Sequence, residues 1–314
     1  MFGLGLKYKL QQLLYDAGLK LNLIILPNSY YVPIAASAEL RRSREWMRPS
    51  SLLGIDVDLD EQVQRLREIC APYRDEYRGN PHFLEASRGG FGLGYGYIEA
   101  QALHSVVRWL KPSRVIEVGS GISTYCMLQA SLLNERDTGQ KTLFTCIEPY
   151  PSHWLLGAPV ELIKRRVEHV DPSLFEQLGP NDLLFIDSSH TVKVGGDVPF
   201  LYLEVLPRLR EGVMVHIHDI YLPYNYQRDA DRTLYQWMET SFLQAFLTFN
   251  KSFFIEVCLS HLHYQRRDAL RDVFPEYKPQ MDNEGLEDYS RGTTDGHFPA
   301  SIYIRSIQAT PARR

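Results

Sequence analysis

The chain is poor in cysteine and has no long apolar run. Its four cysteines are scattered without paired spacing, so neither a disulfide framework nor a zinc cage is expected. No stretch approaches the roughly 18 to 20 apolar residues that a membrane-spanning helix needs. The N-terminus lacks the small-residue cleavage site of a secretory signal. These absences predict a cytoplasmic protein without stable membrane insertion.

Long clusters of lysine and arginine are also missing. The formal net charge is −4, and no basic run is long enough to neutralise a row of phosphates, so a nucleic-acid partner is not expected. Only the first 50 residues differ, because seven basic minus three acidic side chains give them a local charge of +4. We interpret this region as a solvated helix face, and contact with a membrane surface or an acidic partner is the alternative.

The chain contains enough apolar residues, 44% of the total, to build a sizeable core. Helical patterns fill residues 1–95, which we interpret as an N-terminal helical cap, and residues 96–314 form the main domain. In the main domain, short apolar runs alternate with helical stretches, which is typical of a parallel sheet with crossover helices. Strands are expected near 114–118, 142–147, 160–170, 183–187, 212–217, 253–260 and 300–305, and helices near 123–134, 194–209 and 232–247.

The most informative segment is an apolar run that starts at Arg114 and ends in Glu-x-Gly-x-Gly. Gly119 and Gly121 would let the backbone approach a nucleoside-bearing ligand, and the next helix would offer its first N–H groups. A dinucleotide site has a third glycine and an acid about 20 residues further on. Here Thr124 replaces that glycine, and Glu148 lies 27 residues after Gly121. This spacing favours S-adenosylmethionine over NAD, with the ribose hydroxyls bound by Glu148.

Polar side chains follow the fourth and fifth expected strands. The fourth run ends in Asp187-Ser-Ser-His190, and the fifth contains His216, His218 and Asp219. Because ligands of open parallel sheets bind beyond the carboxyl ends of the strands, we expect these side chains at the site of reaction. His218 and Asp219 are preferred over His216 as functional residues.

Two kinds of chemistry are open for this group. Asp187, His218 and Asp219 could hold a divalent cation such as Mg²⁺, which would lower the pKa of a substrate hydroxyl. Alternatively, His218 or His190 could act as a general base without a metal. The aromatic residues that follow, from Tyr221 onward, suit a lid or an acceptor pocket.

Together these residues resemble the class I S-adenosylmethionine-dependent methyltransferases. The resemblance is closest to a bacterial subfamily with the motifs Tyr-Tyr-x-Pro-Ile, Glu-Val-Gly-Ser-Gly-x-Ser-Thr, Ile-Glu-Pro-Tyr-Pro, Phe-Ile-Asp-Ser-Ser-His and His-Ile-His-Asp-Ile-x-Leu-Pro. In this chain the motifs occupy residues 30–34, 117–124, 147–151, 185–190 and 216–223.

The resemblance implies an α/β, Rossmann-like, doubly wound and mostly parallel seven-stranded sheet with a reversed final strand. It also implies a cofactor that lies over the glycine turn and transfers its methyl group at Asp187. Related sugar and macrolide O-methyltransferases bind magnesium through three acids, so His218 departs from their pattern and favours the general base. The residues expected to bind the cofactor are Glu117, Gly119, Ser120, Gly121, Ser123, Glu148, Asp187 and Tyr97, and the catalytic residues are His218, Asp187 and His190.

We therefore expect a methyltransferase that acts on an oxygen of a small-molecule acceptor, a sugar or a natural-product intermediate. Two alternative functions stay open. One is an enzyme that uses the aminocarboxypropyl arm of the same cofactor, and the other is a non-catalytic binding module. The sequence leaves the identity of the acceptor open, and it also leaves open whether the chain forms a homodimer.

Overall fold

The computed structural model describes residues 2–92, 94–280 and 296–307, with the side chains of the first helix described from Lys7 onward. Its strands are β1 (Arg114–Val118), β2 (Leu143–Ile147), β3 (Glu161–Ile163), β4 (Leu183–Ile186), β5 (Met214–His218), β6 (Phe253–Cys258) and β7 (Ser301–Ser306). They form one sheet of seven strands in the order β3-β2-β1-β4-β5-β7-β6. The first five strands run parallel, and β7 lies antiparallel between β5 and β6.

Eleven α-helices accompany the sheet in the described residues. They are α1 (Phe2–Lys20), α2 (Ser37–Arg42), α3 (Leu59–Cys70), α4 (Arg74–Tyr77), α5 (Pro81–Arg88), α6 (Tyr97–Leu110), α7 (Ile122–Thr138), α8 (Asp197–Phe200), α9 (Glu239–Leu247), α10 (Leu259–Gln265) and α11 (Arg267–Val273). None of these helices is both long enough and apolar enough to cross a membrane.

Helices cover both faces of the sheet. Successive side chains of a strand point to opposite faces, so neighbouring residues of one strand pack in different apolar clusters. In β1, Val115 belongs to an apolar cluster that contains Leu103 of α6 and Met127 of α7. Its neighbour Ile116 belongs to a second cluster with Leu243 of α9 on the opposite face. This arrangement confirms the expected Rossmann-like, doubly wound fold with a reversed last strand.

The helices between residues 59 and 88 belong to the same core as the sheet. Val63, Leu66, Tyr77 and Ala86 share the apolar cluster that contains Phe185 of β4. In contrast, most described side chains of α1 are exposed. The expected division of the chain at residue 95 stays a prediction, although α3 and α5 pack on the main body.

Three expected elements differ from the structure. β3 covers only Glu161–Ile163 because three consecutive basic residues, 164–166, interrupt the apolar run. The helix expected at 194–209 begins at Asp197 and continues as a π turn and a 3₁₀ helix, since Pro207 lacks the N–H that a regular helix needs.

The helix expected at 232–247 begins only at Glu239. Residues before it are held by the side chain of Gln227, which accepts a hydrogen bond from the backbone N–H of Trp237 at 3.1 Å. The same side chain donates a hydrogen bond to the carbonyl oxygen of Tyr235 at 2.9 Å. These contacts use backbone groups that a helix would have needed for its own hydrogen bonds.

Candidate functional site

The carboxyl ends of β1, β2 and β4 lie at one edge of the sheet and border a cleft of about 340 Å³. Gly119 follows β1, Glu148 follows β2 and Asp187 follows β4, and all three line this cleft. Parallel strands bring these residues together although 68 positions separate the first from the last. The structure therefore places part of the expected cofactor site around a single opening.

Gly119 makes the first turn of the cleft possible. Its φ is +94°, in the region that favours glycine. A Cβ atom at this position would lie 2.5 Å from the carbonyl oxygen of Asp187. The backbone N–H of Asp187 in turn donates a hydrogen bond to the carbonyl of Val118 at 2.9 Å. The loops after β1 and β4 are thus in direct contact.

Glu117 lies beneath the turn and is fully buried. Its carboxylate accepts hydrogen bonds from Ser123 Oγ at 2.7 Å and from Cys146 Sγ at 3.5 Å. Burial raises the pKa of Glu117 to about 7. The structure therefore pairs the expected cofactor residues Glu117 and Ser123 with each other, and this pair fixes the start of α7.

Glu148 is half-buried and lies at the wall of the cleft. Its carboxylate accepts a hydrogen bond from Ser120 Oγ at 3.3 Å and another from the backbone N–H of Tyr150 at 2.7 Å. A carboxylate has about four lone-pair sites, so it has capacity left for ribose hydroxyls. Ser120 and Glu148 are thus brought together, as the sequence predicts.

Phe91 belongs to the glycine-rich residues 89–92 before α6, and its backbone lies against the turn after β1. A Cβ atom at Gly121 would lie 3.3 Å from the carbonyl oxygen of Phe91. The ring of Phe91 packs on Trp154 with 4.4 Å between centroids. Tyr97, expected to bind the cofactor, does not line this cleft; its ring stacks on His297 at 5.3 Å instead.

Four side chains meet where β4 and β5 end. His190 Nε2 lies 3.2 Å from Asp187 Oδ1 and 3.4 Å from Asp219 Oδ2. His218 Nδ1 lies 3.5 Å from Asp187 Oδ1 and 3.4 Å from Asp219 Oδ2. We call Asp187, His190, His218 and Asp219 the strand-end cluster. It contains every expected catalytic residue.

Two buried acids surround the strand-end cluster, and the sequence analysis did not find them. Glu239 of α9 accepts a hydrogen bond from Ser188 Oγ at 3.2 Å and lies 2.8 Å from His190 Nδ1. Glu99 of α6 lies with its Oε1 3.4 Å from His218 Nε2. Both acids are fully buried. No motif marks them, because each comes from a helix far along the chain from the histidine that it approaches.

The acids determine the charge of the histidines. Burial alone would lower the pKa of His190, but Asp187, Glu239 and Asp219 raise it to about 10. Burial also opposes the charge of His218, whose pKa Asp219, Glu99 and Asp187 nevertheless raise well above its ordinary value.

The pKa of Asp187 shifts in the opposite direction to that of the two histidines. Burial alone would raise its pKa, but His218 and His190 lower it well below its ordinary value. The strand-end cluster is therefore a set of compact ion pairs at neutral pH.

His216 has a different environment. Burial lowers its pKa well below the ordinary value, and its ring stacks on Phe185 with 4.3 Å between centroids. Its place in the sheet core is consistent with the preference for His218 as the functional residue.

The backbone of the strand-end cluster is strained. His190 has a φ of +57° and Asp219 a φ of +53°, although both carry a Cβ atom. Such conformations cost of order 1–3 kcal/mol each and concentrate at functional sites. This is an observation independent of charge that supports a functional role for the strand-end cluster.

The strand-end cluster also has donors that suit a divalent cation. One ligand atom each of Asp187, His190 and His218 lies within 4.8 Å of the others. Carboxylate oxygens and imidazole nitrogens are accepted ligands of Mg²⁺, Mn²⁺ and Zn²⁺. Asp219 lies close enough to both imidazoles to join them, so the residues fit such an ion.

Known proteins show similarity to this chain. Residues 116–220 match a family model described as a methyltransferase domain, and this range contains the strand-end cluster, Gly119 and Glu148. A protein of Archaeoglobus fulgidus described as uncharacterized is 32% identical over 170 residues, which are 50% of this chain and 75% of that protein.

One solved structure is also similar to this chain. It is the O-methyltransferase TomG of Streptomyces achromogenes, involved in tomaymycin synthesis, in complex with SAM. The similarity covers 84% of this chain and 99% of that chain, with 14% identity and a TM-score of 0.42.

Proposed function

We propose that this chain uses S-adenosylmethionine to methylate an oxygen atom of a small molecule. The chain belongs to the same family as the Archaeoglobus fulgidus protein, and its residues 116–220 match a methyltransferase domain. The acceptor is a sugar or a natural-product intermediate. One observation carries the proposal: Asp187 lines the cleft and is also part of the strand-end cluster. A cofactor in the cleft would thus have its reactive end beside groups that bind and deprotonate a hydroxyl.

Our proposal gives the cofactor one orientation in the cleft. The adenosine ribose lies on Glu148, and the methionine part lies over the turn at Gly119 and Gly121, near the first N–H groups of α7. Those N–H groups have no partner within the helix and suit the methionine carboxylate. Asp187 then stands close to the sulfonium, where a carboxylate favours positive charge.

The transfer is an in-line displacement. The acceptor oxygen forms a bond to the methyl carbon while the bond between that carbon and sulfur breaks. The electron pair of the broken bond stays on sulfur, which leaves S-adenosylhomocysteine. The proton of the acceptor hydroxyl passes to the strand-end cluster. His218 is the first candidate to accept it and His190 the second, and each imidazole acts as the base only in its neutral form, after it has released the proton that the neighbouring acids stabilise. The protein positions the reacting atoms and excludes water.

A divalent cation held by Asp187, His190, His218 and Asp219 would lower the pKa of the acceptor hydroxyl. Dialysis against a chelator separates this role from a metal-free general base. Turnover that is lost on dialysis and restored by Mg²⁺ or Mn²⁺ supports the cation, whereas unchanged turnover supports the imidazole base alone.

Calorimetry of the Glu148→Ala variant with S-adenosylhomocysteine tests the cofactor site. We expect the affinity to fall at least tenfold, because the ribose hydroxyls lose their charged acceptor. Glu211→Ala is the matched control, since Glu211 is exposed and lies outside the cleft. Equal affinity of Glu148→Ala and the parent chain would contradict this placement of the cofactor.

A further inference from the structure

A second cavity, of about 190 Å³, lies on the strand-end cluster. Asp219 is part of its wall, and most of the rest is formed by the start of α6 and by residues 296–300 before β7, with Phe83, Tyr95, Tyr221 and Gln280 completing it. The strand-end cluster thus stands between two openings, since Asp187 lines the cofactor cleft. A molecule in the second cavity would meet the strand-end cluster from a side that is not used by the proposed cofactor.

Glu99 places a buried carboxylate in the wall of this cavity. It is fully buried, yet neither of its carboxylate oxygens has a hydrogen-bond partner among the described residues. His218 Nε2 lies 3.4 Å from Oε1 but is not in hydrogen-bonding geometry. A buried carboxylate without a donor is costly, and such groups in native proteins call for a partner. Because Glu99 lines the cavity, a ligand that donates hydroxyl protons can supply one.

Flat aromatic rings form much of the remaining wall. Tyr97 stacks on His297 with an angle of 20° between the rings, and Tyr221 stacks on Phe298 with an angle of 27°. Stacked pairs of this kind present flat apolar faces. The C–H face of a saturated sugar ring packs on such a surface, while its hydroxyl groups point to the edges.

The charge of the cavity selects against anions. Glu99 and Asp219 are its acidic residues, and no lysine or arginine occurs among the described residues that line it. Burial lowers the pKa of His297, so this ring carries no charge at neutral pH. A phosphate or carboxylate in the cavity would therefore face two acids, because the imidazoles of His190 and His218 that balance them do not line the cavity.

We infer that this cavity binds the methyl acceptor, and that the acceptor there is a single ring with several hydroxyl groups and no negative charge. The inference rests on the proposed function. The cavity is smaller than the roughly 300–1,000 Å³ of pockets for drug-sized ligands, which fits one sugar-like ring. Glu99 accepts hydrogen bonds from the hydroxyl groups, Tyr97 supports the ring face, and the reacting hydroxyl points towards Asp219 and His218.

Ligand-observed NMR titrations, run with saturating S-adenosylhomocysteine, test the inference. The probes are a neutral methyl hexopyranoside, a hexuronic acid and a hexose 6-phosphate. We expect the neutral glycoside to bind saturably and the two anions to bind at least tenfold more weakly. Absence of binding by the neutral glycoside, or equal or tighter binding of an anion, overturns the inference.

Two variants locate the binding. Glu99→Gln keeps the side-chain volume and should weaken the glycoside at least tenfold, and Tyr97→Leu should weaken it at least fivefold. The affinity for S-adenosylhomocysteine should stay within twofold in both variants, and Glu211→Gln should change neither ligand. Unchanged glycoside binding in both variants overturns the inference and leaves the proposed function intact. Failure of the parent chain to bind S-adenosylhomocysteine overturns both.

Discussion

Gly119 is a single residue on which the shape of the cofactor cleft depends. In Gly119→Ala, the new methyl group would meet the carbonyl oxygen of Asp187 at 2.5 Å on a backbone with a φ of +94°. We expect a loss of about 2 kcal/mol in the free energy of unfolding and a loss of S-adenosylhomocysteine affinity of at least tenfold. Chemical denaturation and calorimetry measure the two effects.

Gly139→Ala is the matched control for this prediction. Gly139 has a φ of +75°, but no atom lies within 4 Å of the position of an added Cβ. The control should lose about 1 kcal/mol through backbone strain alone and keep its affinity for S-adenosylhomocysteine. If both variants keep full affinity, close contact between the two loops is not needed for binding.

Glu117 should make stability depend on pH. Burial raises its pKa in the folded protein from 4.5 to about 7, so the folded chain keeps this proton at a pH where the unfolded chain has lost it. Stability contributed by the protonated form is therefore full below pH 4.5 and is lost as the pH rises towards 7. In Glu117→Gln this loss is absent, so the variant gains about 3 kcal/mol relative to the parent between pH 4.5 and pH 8.

Urea denaturation of both chains across this range measures the difference, with Glu211→Gln as a control that should run parallel to the parent. Parallel curves for Glu117→Gln would show that Glu117 titrates normally in the folded chain.

At the level of single residues, the sequence predicts the part of the site that follows strands. Gly119, Glu148, Asp187 and His218 each come directly after or at the end of an apolar run, and the structure places them at one edge of the sheet. Glu99 and Glu239 could not be found in this way. They lie on helices with no local signal, and only the packing of those helices brings them to the histidines.

β5 is the element that delivers the proposed catalytic group. In His218→Ala, turnover should fall at least 100-fold, because a positioned general base contributes about 10²–10⁴. The affinity for S-adenosylhomocysteine should stay within threefold, since His218 does not line the cofactor cleft. His153→Ala, which changes an exposed histidine, is the control. Turnover of His218→Ala equal to that of the control would remove His218 from catalysis.

The bounds of strands that consist of a short apolar run were predictable from the sequence. The bounds were not predictable where charged residues or a distant side chain end the regular structure. β1, β2, β4 and β5 lie within two residues of their expected bounds. β3 and the segment before α9 do not, because a basic run ends the first and the side chain of Gln227 occupies backbone groups in the second. Contacts between residues eight or more positions apart are not visible in a local pattern.

At the scale of the whole molecule, α3 to α5 belong to the core although they precede the main domain in sequence. Removal of residues 1–95 takes away Val63, Leu66, Tyr77 and Ala86, each of which is at most 6% exposed. Full burial of a large apolar side chain contributes about 1.5–3 kcal/mol, and a domain has only about 5–15 kcal/mol in total. We therefore expect the truncated chain to lose its cooperative unfolding transition.

Removal of residues 1–28 is the control for that truncation. It deletes α1, whose described side chains, from Lys7 onward, are mostly exposed, and retains Ala35, which is hydrogen-bonded to Gln236. The melting temperature should change by less than about 4 °C, the shift expected for less than 1 kcal/mol in a chain of this size. Circular dichroism during heating measures both truncations. A sharp transition without residues 1–95 would show that the sheet folds without α3 to α5.

The position of β7 in the sheet affects how the chain folds during translation. This strand is the last described element of the chain, yet it lies inside the sheet, between β5 and β6, and pairs with both. During translation, β5 must therefore keep an unpaired edge until residues 301–306 have left the ribosome. Such edges invite wrong pairing with other chains. A nascent chain that stalls shortly before this strand would be exposed to aggregation at the moment when most of its sheet is already present.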